Sequence, residues 1–283
     1  MPIIHTHFDC IDSTNTALIN AVSLDNLPYN LPHLYTADHQ TAGRGQHGRT
    51  WVSGADNVFL SLYVPIGDSE FHLHQLSGLL SLIVGFKLAN LPIIQTINQS
   101  REPFKKIGIK WANDIGFFEF IKSMDNSFNK QIFKKIAGIL IEPVFKKMTD
   151  KKKMIGVVIG VGMNINHAPK IEDGLYQSAC INNFLENKLT AKDFYVPITN
   201  HLLTAVQICN HCTDKQYRTN FINEFNANHL LTDKMIDIFI QNNMTDIHAS
   251  GECVGIGDNG ELLLKIDDII TPMLAGMAKL SMN

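Results

Sequence analysis

The chain has 283 residues, 45% of them hydrophobic and 18% charged, a globular composition that excludes disorder, a collagen repeat and a coiled coil. Lys and Arg number 24 against 27 Asp and Glu, a formal net charge of −3, and neither end carries a basic arm to follow nucleic-acid phosphates, so general DNA binding is disfavoured. The length suits one large domain, or one with a small companion.

The opening MPIIHTHFDC lacks the basic start and unbroken apolar stretch of a secretory signal, which predicts a protein that begins here and stays in the cytoplasm. Five cysteines, an odd number spread along the chain, suit a reducing compartment rather than a disulfide framework. The most apolar stretch, residues 76–91, holds Ser77, Ser81 and Lys87 and is too short for a membrane span, so it reads as a buried helix.

In chain order, a short strand opens the sequence. Ser13-Thr14-Asn15 then leads a hydroxyl-capped helix running to Ser23. Residues 34–38 form a second strand that enters TAGRGQHGRT, and 57–64 resume as a strand with Val58, Leu60, Leu62 and Val64 alternating against Phe59, Ser61 and Tyr63. Residues 73–89 read as a helix, 107–111 as a strand, and 135–142 and 155–162 as β-branched runs broken by glycine. Helical spacing covers 191–212 and 217–228. Short strands at 235–240, 252–257, 261–266 and 278–282 follow, split by turn signals such as Asp258-Asn259-Gly260. The switch from helix to short strands near residue 232 predicts a domain of residues 1–232 and a second of 233–283, with no internal repeat.

Residues 101–153 hold 13 Lys or Arg and 6 Asp or Glu, a basic middle able to draw phosphates. Its clusters Lys146-Lys147 and Lys151-Lys152-Lys153 read first as solvated surface loops.

Three motifs carry chemistry. In Gly43-Arg44-Gly45-Gln46-His47-Gly48-Arg49, followed by Thr50-Trp51, the glycines let backbone N–H groups approach a ligand and two arginines supply donor forks for carboxylate or phosphate. The run matches neither the Walker A pattern nor a Rossmann fingerprint, and a surface hairpin with incidental glycines is the plain alternative. Lys110-Trp111-Ala112-Asn113-Asp114 places a lysine at a strand end, where desolvation would strengthen its field on an anion. Lys135-Ile136-Ala137-Gly138-Ile139-Leu140-Ile141-Glu142 and Gly160-Val161-Gly162-Met163-Asn164-Ile165-Asn166 put glycines inside two strands, as if something packs on the backbone there, and the Asn164 amide suits a purine edge.

Other constellations read more plainly. Cys209 and Cys212 form a lone CxxC pair in a helical pattern and are expected as buried thiols. His5 and His7 share a strand face with only Asp9 to join them, which suits packing or a polar rim better than a metal. His72 and His74 are too close in a helix to share a face.

Ser13-Thr14-Asn15, QTAGRGQHGRTW, KWAND, KIAGILIE and GVGMNIN, in this order and at these spacings, resemble the biotin protein ligases, and VGIGDNGELLLKI resembles the strand pattern of that family's small C-terminal domain. The resemblance spans nearly the whole chain. It implies an α/β (α+β) fold, with a class II synthetase-like central mixed sheet with helices followed by a small SH3-like β-barrel. It implies an enzyme that joins biotin and ATP, with Mg²⁺, into biotinyl-5′-AMP and then passes biotin to one lysine of a biotin carboxyl-carrier protein of acetyl-CoA carboxylase or a related enzyme. Some members carry an N-terminal helix-turn-helix domain, and Ser13 lies too near the start of this sequence to leave room for one. Some members also form homodimers through a sheet edge.

By the same resemblance, Ser13, Thr14, Asn15 and Gln40 surround the ureido ring of biotin. Gly43, Arg44, Gly45 and Gln46 lie in the loop that closes over biotin and the adenylate, and Gly138 and Gly162 line the pocket. Lys110 stands beside the biotin carboxylate and α-phosphate as a catalytic residue together with Arg44, while Arg49, Trp51 and Asn164 meet the nucleotide. No metal ligands are implied. The chain departs from the family pattern at Gln46 and His47, where many members carry two arginines, and at Ala112, where KWPND becomes KWAND. The alternatives are a lipoate-type ligase and a non-catalytic biotin-binding regulator.

Overall fold

The computed structural model describes residues 3–52, 54–66, 78–122, 129–148, 151–171, 176–240 and 246–281. An eight-stranded mixed sheet is built from β1 (Ile4–Ile11), β2 (His33–Gln40), β3 (Val58–Pro65), β4 (Gly108–Lys110), β5 (Asp114–Lys122), β6 (Asn129–Met148), β7 (Lys151–Met163) and the two-residue β8 (Gln177–Ser178). The order is β1-β2-β3-β7-β6-β5-β4, with β8 on β6. β1–β2 and β6–β8 are parallel and the remaining pairs antiparallel.

Helix α1 (Thr14–Ser23) covers one face of this sheet, and its Leu18 and Val22 pack with Tyr35, Tyr63, Val144, Ile155 and Val158. On the other face lie α2 (Gly78–Ala89) and α4 (Lys192–His211), packed on each other and on the sheet, while α3 (Pro92–Gln99) and α5 (Lys215–Asn228) add Ile94, Ile97, Phe221 and Phe225 to the same core. Both registers of β3 are therefore buried, Leu60 and Leu62 on the side of α4 and Tyr63 toward α1, which explains a strand apolar on both faces.

A second, five-stranded antiparallel sheet runs β12-β11-β10-β9-β13, from β9 (Met235–Phe239), β10 (Ala249–Ile256), β11 (Leu262–Ile266), β12 (Ile269–Met273) and β13 (Met277–Leu280). Its buried residues, among them Ile236, Ile238 and Leu264, are continuous with the core of the central sheet. The turn ahead of β11 uses Gly260 at φ +85°, a conformation that favours glycine, and the Gly260 carbonyl accepts the Trp111 indole N–H at 2.9 Å. That bond ties the end of β4 to the second sheet.

The helix expected over 73–89 is described as Gly78–Ala89. Residues 73–77, His72, His74 and Met282 lie outside the described residues. Helix α3 was not foreseen, and it begins on Pro92 in the first turn, where a missing N–H costs nothing. Strand β12 was not foreseen either; it contains Pro272, which an edge strand tolerates. No single helix among the described residues is long and apolar enough to cross a membrane, and only α2 with α3, bent by 60° at their junction, would match by length and composition together.

Candidate functional site

The N-terminus of α1 meets the end of β2 and the middle of β3 in a buried polar cluster. Ser13 caps the helix, its Oγ accepting the Thr16 N–H at 3.5 Å. Gln40 Oε1 accepts the Thr14 N–H at 2.8 Å, and Ser61 Oγ lies 2.8 Å from Thr14 Oγ1 and 2.5 Å from Asn15 Oδ1. Gly160 clears the space for Asn15, since a Cβ there would stand 2.2 Å from its Oδ1.

The glycine–arginine loop leaves β2 and folds on itself. Gly45 N–H donates to the Arg49 carbonyl at 2.7 Å, and Trp51 N–H to the Gly43 carbonyl at 2.9 Å. Between them, residues 46–48 form a single 3₁₀ turn that ends on Gly48 at φ +74°. Arg44 reaches across to β6 and makes a two-pronged contact with Glu142, at 2.9 and 2.6 Å. Trp51 drops its indole onto the two glycine strands, where a Cβ would come within 3.0 Å of it at Gly138 and 2.4 Å at Gly162. The Trp51 indole nitrogen is buried without a hydrogen-bond partner among the described residues.

At the opposite end, β4, β5 and β6 bring Lys110, Asp114 and Lys135 together. Lys135 Nζ lies 2.6 Å from Asp114 Oδ1, and it also stands over the Trp51 and Tyr176 rings at 5.4 and 4.9 Å. Burial alone would lower the Lys135 pKa, but the Asp114 carboxylate, with Tyr176, outweighs it and the pKa is raised. Lys110 Nζ sits 5.0 Å over the Phe133 ring. Burial pulls its pKa down; Asp114 opposes this in part, and Lys135, Arg49 and Lys279 add repulsion. Thus one lysine is held charged and its neighbour is eased toward the neutral form. Behind them, buried His229 accepts the Trp111 backbone N–H on Nε2 at 3.0 Å, and burial, then Lys110 and Lys234, push its pKa down to about 3.

Thr14, Asn15, Gln40, Arg44, Trp51, Lys110 and Lys135 line one cavity of about 900 Å³, closed on one side by the second sheet through Asp237, Phe239, Leu274, Met277 and Lys279. Arg49 spans toward that wall and contacts Met277. Of the residues singled out in the sequence, Ser13, Thr14, Asn15, Gln40, Arg44, Gly45, Gln46, Arg49, Trp51, Lys110, Gly138 and Gly162 line the cavity. Gly43 borders an adjoining pocket under the loop. Asn164 lies elsewhere: its Oδ1 accepts from Asn57 at 3.3 Å and its Nδ2 donates to the Ala179 carbonyl at 3.2 Å, so the amide holds the β7 end in place and does not line the cavity. Lys135, Asp114 and Glu142 stood in the motifs without a role of their own, and Ser61, Tyr176 and the second-sheet wall carried no local signal at all.

Away from the cavity, the expected buried thiols are found: Cys209 and Cys212 are both buried, and burial, then Cys212, raises the Cys209 pKa to about 12. The imidazole Nε2 of His7 lies 3.3 Å from Asp38 and Nδ1 lies 2.9 Å from Thr36 Oγ1, a polar rim on β1. Its ligand atoms, with those of Asp9 and Asp38, lie within 4.8 Å of one another, all on exposed residues.

Comparison with known proteins gives a consistent picture. A model of the biotin/lipoate A/B protein ligase family matches residues 7–164. The chain is 25% identical over 272 residues to the bifunctional ligase/repressor BirA of Salmonella typhimurium, covering 94% of this chain and 71% of that protein. It is 33% identical over 140 residues to the biotin–[acetyl-CoA-carboxylase] ligase of Mycobacterium tuberculosis, covering 48% of this chain and 41% of that protein. In fold it is similar to the biotin protein ligase of Aquifex aeolicus in complex with biotin and ATP, with a TM-score of 0.67, 20% identity and 98% of both chains covered. It is also similar to the Leishmania major ligase in complex with biotinyl-5-AMP, with a TM-score of 0.57 and 22% identity, over 97% of this chain and 100% of that one.

Proposed function

Because this chain belongs to the biotin/lipoate A/B protein ligase family, we propose that it is an ATP-dependent biotin ligase acting on a lysine of a biotin carboxyl-carrier protein. The observation that carries the choice of biotin is the buried polar cluster of Ser13, Thr14, Asn15 and Gln40 at one end of the cavity. A cyclic urea presents two N–H donors and a carbonyl acceptor to such a cluster. The dithiolane of lipoate presents neither and would leave buried polar groups unpaired, a cost of about 1–3 kcal/mol for each.

In the first step a biotin carboxylate oxygen attacks the α-phosphorus of ATP, the bond from that phosphorus to the bridging oxygen breaks, and pyrophosphate leaves. Lys110, with Arg44, spreads the charge that develops on the phosphate oxygens, and the charged Lys135 beside Asp114 adds a third cation. Mg²⁺ enters with ATP as part of that substrate, and no protein nucleophile is required. Trp51, over Gly138 and Gly162, supplies the ring for the adenine, with Arg49 toward its phosphate; Asn164 is too deeply engaged to share this role.

In the second step the deprotonated lysine amine of the carrier attacks the biotinyl carbonyl carbon and AMP leaves. The Gly43–Arg49 segment would exclude water until the carrier arrives, with Arg44 reaching Glu142 and Arg49 reaching Met277 from the loop. The five cysteines, all free thiols, and the demand for ATP fit a cytoplasmic enzyme.

The test is biotin-dependent pyrophosphate release with Mg²⁺-ATP, run beside lipoate and followed by mass spectrometry of an added carboxyl-carrier domain. The expected result is a biotin-specific signal and a gain of one biotin on the carrier. Turnover with lipoate would overturn the choice of acid, and tight biotin binding without turnover would leave a regulator.

A further inference from the structure

Strand β1 is an edge of the central sheet, and the face it turns toward α4 carries His5, His7 and Asp9 at every second position. Its parallel pairing with β2 sets Thr36 opposite His7, and it sets Asp38 beside Asp9 between the partners Phe8–Ala37 and Cys10–His39. Two carboxylates side by side repel each other. Among the described residues neither forms an ion pair with a lysine or arginine. The basic group that meets them is His7, and one ligand atom from each of His7, Asp9 and Asp38 lies within 4.8 Å of the other two.

Three details fit this corner to a metal ion. His7 Nε2 lies 3.3 Å from Asp38 Oδ1. A charge-assisted N–H···O bond is shorter, about 2.7–2.9 Å, whereas two ligand atoms about 2.0–2.1 Å from a tetrahedral Zn²⁺ stand about 3.3–3.4 Å apart. Behind the imidazole, buried Thr36 Oγ1 lies 2.9 Å from His7 Nδ1 and 2.8 Å from His5 Nε2. A hydroxyl there can accept the Nδ1 proton of His7 while donating its own to His5, which leaves His7 Nε2 as a lone pair toward the carboxylates; a ligating histidine is held in this way by a partner on its other nitrogen. Finally, the Tyr195 ring on α4 stands 6.3 and 6.2 Å from the rings of His5 and His7. Tyr195 is only 7% exposed, and its hydroxyl has no hydrogen-bond partner among the described residues. Burial, then the nearby charge of Asp38, pushes its pKa up to about 12. A water on the fourth position of the ion would give this buried hydroxyl its partner.

We propose that His7, Asp9 and Asp38 form a Zn²⁺ site on the edge strand, with one position left to water and with Thr36 and Tyr195 as the groups that support it. One imidazole with two carboxylates suits a first-row transition ion better than Mg²⁺ or Ca²⁺, which prefer oxygen ligands throughout. Strand β1 by itself offers only His7 and Asp9, and the ligand that completes the set comes from its neighbour. None of the three lines the large cavity, so the site is independent of the ligase reading.

The experiment strips the protein with a chelator and titrates it, without nucleotide, with Zn²⁺ by calorimetry and with Co²⁺ by visible absorption, which is intense in a four-coordinate site and weak in a six-coordinate one. Wild type should take up one equivalent in the presence of millimolar Mg²⁺ and give the intense band. His7→Gln and Asp38→Asn, both at exposed positions, should each weaken binding by about tenfold or more. Thr36→Val, which keeps the shape and removes only the hydroxyl behind His7, should weaken it by about tenfold. Circular dichroism separates loss of the site from loss of the fold, and Asp9→Asn supplies the measurement if Asp38→Asn does not fold. Cys10 and His39 are neighbours on the opposite face of the same two strands and form the competing pair, so Cys10→Ser should bind as wild type does. Uptake that survives both His7→Gln and Asp38→Asn, that disappears in Cys10→Ser, or that millimolar Mg²⁺ abolishes would overturn the proposal. So would a wild-type protein that takes up no Zn²⁺.

Discussion

Trp51 and Gly162 share one volume: a Cβ on Gly162 would stand 2.4 Å from Cε2 of the Trp51 indole. The glycine in β7 is thus the seat of a ring delivered from the glycine–arginine loop. Gly162→Ala should expel the indole, raising the KM for ATP about tenfold or more, with biotin binding little changed. Titration of both ligands checks this, and an unchanged ATP KM would remove Trp51 from the nucleotide site.

Lys135 and Asp114 form a buried pair, and its rupture leaves a charge without a partner. Asp114→Asn should destabilise the fold by about 3 kcal/mol, seen in urea unfolding at neutral pH. A raised lysine pKa means that the pair stabilises fully below the unfolded value of 10.5 and that this is lost as pH rises through the higher folded value. Asp114→Asn removes the group that raises the Lys135 pKa against burial, so this alkaline fall should be absent from the variant.

Lys110 is lowered rather than raised, so the pH dependence of adenylate formation should show it. The rate should decline as pH climbs through a pKa below 10.5, while biotin binding stays flat. Lys110→Ala should lose pyrophosphate release far more than biotin affinity, and equal losses would count against a role in charge stabilisation.

His229 accepts the Trp111 N–H and so must be neutral for the strand to hold. Its pKa falls from 6.5 to about 3, so the unfolded chain binds the extra proton between these values and stability is lost as pH drops across that window. The full effect is on the order of 5 kcal/mol. Unfolding series at pH 4 to 7 should show a clear slope for wild type and a flatter one for His229→Gln, whose amide keeps an acceptor without a proton to gain.

The Gly43–Arg49 segment should become resistant to limited proteolysis when biotin and Mg²⁺-ATP are both present. Cleavage as fast with the ligands as without them would rule out closure over the adenylate.

Much of the fold was legible because local patterns and tertiary context agree. The Ser13 cap, the alternation of β3 and the turn at Gly260 each follow from residue type, and each is found where the pattern placed it. The motif segments line one cavity. Asn164 shows the limit: its amide suits a purine edge by chemistry, yet Asn57 and Ala179 occupy it. Nothing in a chain read linearly tells which partners a buried amide will meet.

Composition, turn chemistry and motif order, all properties of neighbouring residues, determined the class of fold, the loop and the polar helix start. The tertiary structure alone decided that Lys135 faces the cavity together with Gly138. Strict alternation would put residues three apart on opposite faces, but a register shift in the β5–β6 pairing between Ile115 and Gly116 accompanies their shared face, with the Lys135 amine 3.2 Å from a Cβ on Gly138. It also decided that Asp114 pairs with Lys135, that Glu142 holds both Arg44 and Asn15, and that the second sheet closes the cavity. Those are contacts between residues far apart in the chain, set by strand register and packing, and no local spacing records them.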